Sequence, residues 1–250
     1  MRLAAGASVT LRRLLMLVGL LAGLGLGGCA LLPGSDAVRS PGDPFERYNR
    51  AMFDVNQKID EVALEPLARS YRRYVPDAFR IVIHNFFENL SDLSTAVNQL
   101  LQGKLDLAAS DLLRFGVNST LGFAGLNDIA SEFGLEKHRE DFGQTLGRWG
   151  VPPGPYLVLP LLGPSSVRDG LGLVVDYRTD LTLYLTEDST TRVATRALRI
   201  VDARERLLDA TRMIDSIALD PYLFVRDSQL QRRRSLVWDG DPPPAPDERN

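Results

Sequence analysis

Apolar residues return every three or four positions through much of this chain, the spacing of amphipathic helices rather than the alternation of strands. Phe45, Tyr48, Met52, Val55, Ile59 and Val62 form one such series, opened by Asp43-Pro44, an N-cap followed by proline at the first helical position. Phe79, Val82, Ile83, Phe86, Phe87 and Leu90 make one broad apolar face on a second helix starting near Pro76. A third helix is predicted from about Ser91 to Leu101, stopping at Gly103, and a fourth from about Leu105 to Val117. Further on, Val193, Ala197, Ile200, Arg204, Leu207 and Ile214 lie near heptad spacing on a long helix from about Ser189 to Ile217. A last helix begins at Asp220-Pro221 and carries "LQRRRSLVW". No strand pairs and no alternation of strand and helix are apparent, so the fold class is mainly α. No mature helix is free enough of charge to cross a bilayer.

Two stretches break the pattern. "WGVPPGPYLVLPLLGPSSVRDG", Trp149 to Gly170, is strongly apolar, yet its prolines and glycines argue against both a helix and a central strand. It reads as an apolar ribbon of irregular backbone, ending where Ser166 to Asp169 form a weak capping box for a following helix. "NSTLGFAGLNDIASEFGL", Asn118 to Leu135, is small, apolar and glycine-spaced. It reads as a flexible hairpin between helices, with Gly122, Gly125 and Gly134 permitting unusual backbone angles; tight helix-to-helix packing is the alternative.

The N-terminus is a targeting segment. Arg2, Arg12 and Arg13 precede an apolar run from Leu14 to Leu26, followed by "LGGC", with Cys29 the only cysteine of the chain. This resembles the lipobox of bacterial lipoproteins, in which cleavage leaves a lipidated Cys29 at the new N-terminus. A lone cysteine also leaves no disulfide framework. The predicted organisation is a signal peptide over 1–28, a lipidated tether over 29–42, one helical domain over 43–238 and a disordered tail over 239–250. Ala30, not Asp, follows the cysteine, which under the common sorting rule favours the outer membrane, on its periplasmic side.

The charge balance narrows the partners. The chain is net −3, with 29 basic and 32 acidic residues; loss of the three leader arginines leaves 26 against 32, a net −6. An acidic protein with only local basic clusters is not a nucleic-acid binder. Those clusters, "RRYVP" at Arg72 to Pro76 and "QRRRS" at Gln231 to Ser235, read as solvated faces, with lipid phosphate contact as the functional alternative.

A catalytic set is hard to assemble. His84 sits beside an apolar helix face, and His138 lies in "EKHRED", which reads as a solvated charged loop. One histidine without a thiolate does not make a metal site. No Gly-x-Ser-x-Gly elbow and no phosphate-binding glycine loop occurs. The residues therefore predict no enzyme, no cofactor and no metal. On the residues alone, a lipid-anchored periplasmic scaffold binding envelope proteins remains open.

Several blocks in order carry a resemblance: "DPFERYNRAMF", "NFFENL", "LLQGK", "LLRFGVNSTLGFAGLNDIAS", "EDFGQTLGRWG", "GPYLVLPLLGPSSVRD" and "DPYLFVRDSQLQRRR". From about Asp43 to Gly240 the chain resembles the MlaA (VacJ) family of outer-membrane lipoproteins. The resemblance implies a ring-like, monotopic helical protein in the inner leaflet of the outer membrane. It further implies a trimeric outer-membrane porin and a soluble periplasmic phospholipid carrier as partners, and phospholipid as cargo. Within that reading, Asn118, Gly122, Gly125, Tyr156 and Arg168 are the candidate passage or gating residues, and Cys29 is the lipid attachment site.

Overall fold

The computed structural model describes residues 43–243. The leader, Cys29, the tether and the end of the tail lie outside the described residues. Helix α1 (Glu46–Ile59) runs through a π-helical segment (Asp60–Leu64) into α2 (Glu65–Tyr74). Val75 is extended, as a residue preceding proline should be, and ends this first arm. Helix α3 (Asp77–Leu101) is continuous over 25 residues, about 37 Å. It replaces the two helices expected on either side of Ser91. The serine hydroxyl donates back to the Phe87 carbonyl at 2.9 Å, inside the helix, so it caps nothing. Helix α4 (Leu105–Thr120) packs antiparallel along α3.

Short elements follow: α5 (Ile129–Glu132) and α6 (Phe142–Arg148), capped by Asp128 and Asp141. The ribbon from Trp149 to Gly170 is not irregular throughout, which corrects the expectation. Strands β1 (Tyr156–Leu159) and β2 (Gly163–Ser166) form an antiparallel hairpin with Tyr156 opposite Ser166. Ser166 then caps α7 (Val167–Thr179), accepting the Asp169 N–H at 3.1 Å. A 3-10 turn (Leu181–Leu183) leads to the long α8 (Ser189–Ile217) and then α9 (Pro221–Val237), which opens at the predicted Asp220 cap.

Side chains of α1 supply what the hairpin's backbone lacks. Asn49 accepts the Val158 N–H at 2.8 Å and donates to the Tyr156 carbonyl at 3.1 Å. One heptad on, Asn56 accepts the Leu161 N–H at 2.7 Å and donates to the Leu159 carbonyl at 2.8 Å. Two amides on one helix face thus act as a third strand for β1. A small apolar core of Tyr156, Val158 and Tyr222, flanked by Met52, Phe53 and Leu223, packs beside this junction.

The faces are distributed against the usual rule. Among the described residues, 18 polar or charged side chains are buried but only 10 hydrophobic ones, four of them alanine, while 40 large hydrophobics are exposed. The apolar series on α8 turns outward: Val193 is 69 %, Ile200 53 % and Leu207 55 % exposed. No helix among the described residues is long and apolar enough to cross a membrane.

Candidate functional site

The inversion is sharpest where α3 meets α4. The buried line of α4 is Ala108, Asp111, Arg114 and Asn118, while Leu105, Leu112 and Leu113 are exposed. On α3 the buried line includes Asn89, Asp92, Thr95, Asn98 and Gln99, while Phe79, Ile81, Val97, Leu100 and Leu101 face out. Two helices therefore meet through polar faces. Buried polar groups persist only when they are paired, and most of these are.

Arg114 organises the centre. Its Nη2 forks onto both Asp128 carboxylate oxygens at 2.9 and 3.0 Å, and its Nη1 donates to Ser131 Oγ at 3.1 Å and to the Leu135 carbonyl. Asn118 donates to Asp128 at 2.9 Å and accepts the Ala130 N–H at 2.8 Å. These bonds tie the segment after the glycine hairpin to α4. Burial works against ionised Asp128, but hydrogen bonds from Ser131 and Asn118 and the charge of Arg114 outweigh it, holding the carboxyl down at about 2.

The charged loop around His138 closes over the same region and is not the solvated turn expected. Lys137 donates to the Glu88 carbonyl at 2.7 Å and to Asp92, Arg139 pairs with Glu88 at 2.9 Å, and His138 meets the fully buried Asp111 at 3.2 Å. Burial raises the Asp92 carboxyl to about 6 despite Lys137 and Arg114. Between α3, α4 and this loop lies a cavity of about 210 Å³ with Asn89, Asp92 and Arg114 in its wall and Arg139 at its rim. Three carboxylates (Glu88, Asp92, Asp128) face three cations (Arg114, Lys137, Arg139) around it.

The glycine hairpin packs against this wall. A Cβ on Gly122 would run into the carbonyl oxygens of Asn127 and Asn118. Gly125, at φ +83, lies against the Asn89 side chain. Asn118, Gly122 and Gly125 thus lie together at this wall. Tyr156 and Arg168 are elsewhere. Tyr156 is buried in the small apolar core, its hydroxyl raised to about 12 by burial and then by Asp43. Arg168 lines a second cavity of about 310 Å³ between the β-hairpin and α9. Two of the arginines there are already paired: Arg168 holds Asp169 at 2.9 Å, and Arg233 holds Asp169 at 2.8 Å and Asp141 at 2.5 Å. Arg233 of the "QRRRS" cluster and Arg72 of "RRYVP", which pairs with Glu205 at 2.7 Å, are therefore internal clamps.

Sequence reasoning missed Asn89, Asp92, Arg114, Asp128, Lys137 and Arg139. For Asn89, Asp92 and Arg114 the signal was present as polar residues at three- and four-residue spacing on two otherwise apolar helices. That pattern looks the same whether the stripe faces water outside or a polar interior.

The profile of the MlaA lipoprotein family matches residues 41–236. The chain is 33% identical over 220 residues, covering 86% of each, to the intermembrane phospholipid transport system lipoprotein MlaA of Escherichia coli (strain K12). It is 31% identical over 229 residues to the Haemophilus influenzae protein of the same name, covering 90% of this chain and 91% of that one. It is also 35% identical over 196 residues to an uncharacterized protein of Rickettsia typhi, covering 78% of each. A solved structure described as the structural basis for maintenance of bacterial outer membrane lipid asymmetry superposes with a TM-score of 0.69 at 34% identity, covering 80% of this chain and 100% of that chain.

Proposed function

Since this chain belongs to the MlaA lipoprotein family, we propose that it removes mislocalised phospholipids from the outer leaflet of the outer membrane and passes them to a soluble periplasmic carrier, so maintaining lipid asymmetry. The observation that carries this reading is the inverted distribution of side chains, 40 exposed large hydrophobics around an interior where buried polar residues outnumber buried apolar ones. Apolar surface on that scale needs a non-aqueous neighbour. A phospholipid headgroup leaving a leaflet needs the reverse, a polar path, because charged and hydrogen-bonding groups enter hydrocarbon only at large cost. A protein sunk in one leaflet, greasy outside and polar inside, meets both demands. The transfer is physical and makes or breaks no covalent bond.

In this reading the protein is anchored through Cys29 on the periplasmic side of the outer membrane, in a ring-like arrangement beside a trimeric porin. Asn118, Gly122 and Gly125 shape the passage wall beside the polar cavity. Tyr156 and Arg168 hold the β-hairpin and α7, whose exposed Leu161, Leu162 and Leu171 form a lipid-facing rim. The test is liposome flotation of a chain that starts at Ser35 and lacks acyl groups. Flotation with the vesicles is expected. A well-behaved soluble monomer that stays at the bottom of the gradient would refute the embedded reading.

A further inference from the structure

Three buried atoms at the polar cavity have no hydrogen-bond partner among the described residues: Asn89 Oδ1, Asp92 Oδ2 and Arg114 Nε. Their side chains are almost wholly buried, with Asn89 3 %, Asp92 0 % and Arg114 1 % exposed. Arg114 Nε and Asp92 Oδ2 stand 3.7 Å apart, near enough to attract but too far to hydrogen-bond. Each such group, left unpaired, costs on the order of its desolvation, so it calls for a partner. Two of the three are acceptors, and one of those belongs to a carboxylate. The complement is a ligand that presents N–H donors on a positive charge and carries an acceptor nearby.

We propose that this cavity selects the headgroup of the transported lipid, taking phosphoethanolamine in preference to phosphocholine. The inference rests on the lipid-transfer reading above. A primary ammonium has three N–H donors, enough to satisfy Asn89 Oδ1 and Asp92 Oδ2 together. A trimethylammonium has none and would leave both oxygens without a partner. The phosphate belongs at the rim, where Arg139, 65 % exposed, engages Glu88 through Nη2 and keeps Nε and Nη1 for an anion. Three carboxylates stand against three Lys and Arg cations in a wall that also holds His84, a mixed-sign lining that suits a zwitterion. At about 210 Å³ the cavity has room for a headgroup.

The test uses the full-length protein in detergent, offered an equimolar mixture of phosphatidylethanolamine and phosphatidylcholine with identical acyl chains. Retained lipid is quantified by mass spectrometry after washing. The expected ratio favours ethanolamine about tenfold or more, the size of effect that a buried unpaired acceptor produces. Asp92→Asn should return the ratio to that of the input, and Arg139→Gln should lower retention of both lipids without changing it. Should Asp92→Asn fail to fold, the wild-type ratio and the surface variant Arg139→Gln still decide. Retention of both lipids at the input ratio overturns headgroup selection and leaves lipid transfer standing. Retention of neither overturns both. Binding of free phosphoethanolamine with no preference between the lipids would overturn the assignment to a lipid-borne headgroup.

Discussion

Asn49 and Val158 are joined by a hydrogen bond of 2.8 Å in which a helix side chain does the work of a neighbouring β-strand, with the same amide returning a bond to the Tyr156 carbonyl at 3.1 Å. The Asn49 amide also reaches Asp43 at 2.9 Å, so one fully buried side chain fastens the start of α1, the edge of β1 and the small core. Asn49→Ala would strip partners from a buried N–H and a buried C=O. A loss of about 2–4 kcal/mol is expected, read as a lowered melting temperature by circular dichroism in detergent. Asn56→Ala, at the more exposed turn, should cost less.

Gly125 and Gly134 allow backbone and packing effects to be separated. Both hold a left-handed backbone, φ +83 and +79, but a Cβ on Gly125 meets Asn89 whereas one on Gly134 meets nothing within 4 Å. Gly134→Ala should cost about 1–2 kcal/mol, the backbone penalty alone. Gly125→Ala should cost more, and because it displaces Asn89 from the cavity wall it should also raise outer-leaflet phospholipid in cells carrying only that variant. Equal effects of the two variants on melting and on leaflet composition would refute the packing role.

Stability should respond to pH in two opposite windows. Asp92, and likewise Asp176, titrates near 6 in the fold, because burial disfavours its charge, against an ordinary value of 3.8. Between about 4 and 6 the folded state therefore holds protons that the unfolded chain has released, and stability falls as pH rises. Asp128 is the reverse case: held at about 2, it loses its contribution as pH falls below about 4. Asp92→Asn should flatten the upper window by on the order of 2–3 kcal/mol, seen as a smaller change in melting temperature between pH 4 and pH 6. An unchanged slope would show that Asp92 does not titrate there.

Cys29→Ala should leave a longer, unprocessed chain and disturb the lipid balance of the outer membrane, since "LGGC" contains the only cysteine available for acylation. Intact-mass measurement of the mature wild-type protein checks this directly. A mature chain with an unmodified thiol at Cys29 would refute the anchor.

Periodicity along the chain was enough to place most of the long helices, because a 3.6-residue repeat of apolar side chains is a local property of the backbone. Capping residues did the same for the starts of α7 and α9, where Ser166 and Asp220 bond the next turn's amides regardless of what packs nearby. Local signals also misled where a distant partner decides. Ser91 looked like a break until its hydroxyl turned back into α3, and the ribbon around Tyr156 looked unable to pair until Asn49 and Asn56, more than 100 residues away, completed its edge. The sense of each helix lay wholly beyond the sequence pattern. A stripe such as Asp111, Arg114 and Asn118 has the same spacing whether it faces water or the interior. Only the tertiary structure, by bringing Asp128 onto Arg114 and Lys137 onto Asp92, makes the polar side the inside, because a buried charge is tolerable only where its partners converge.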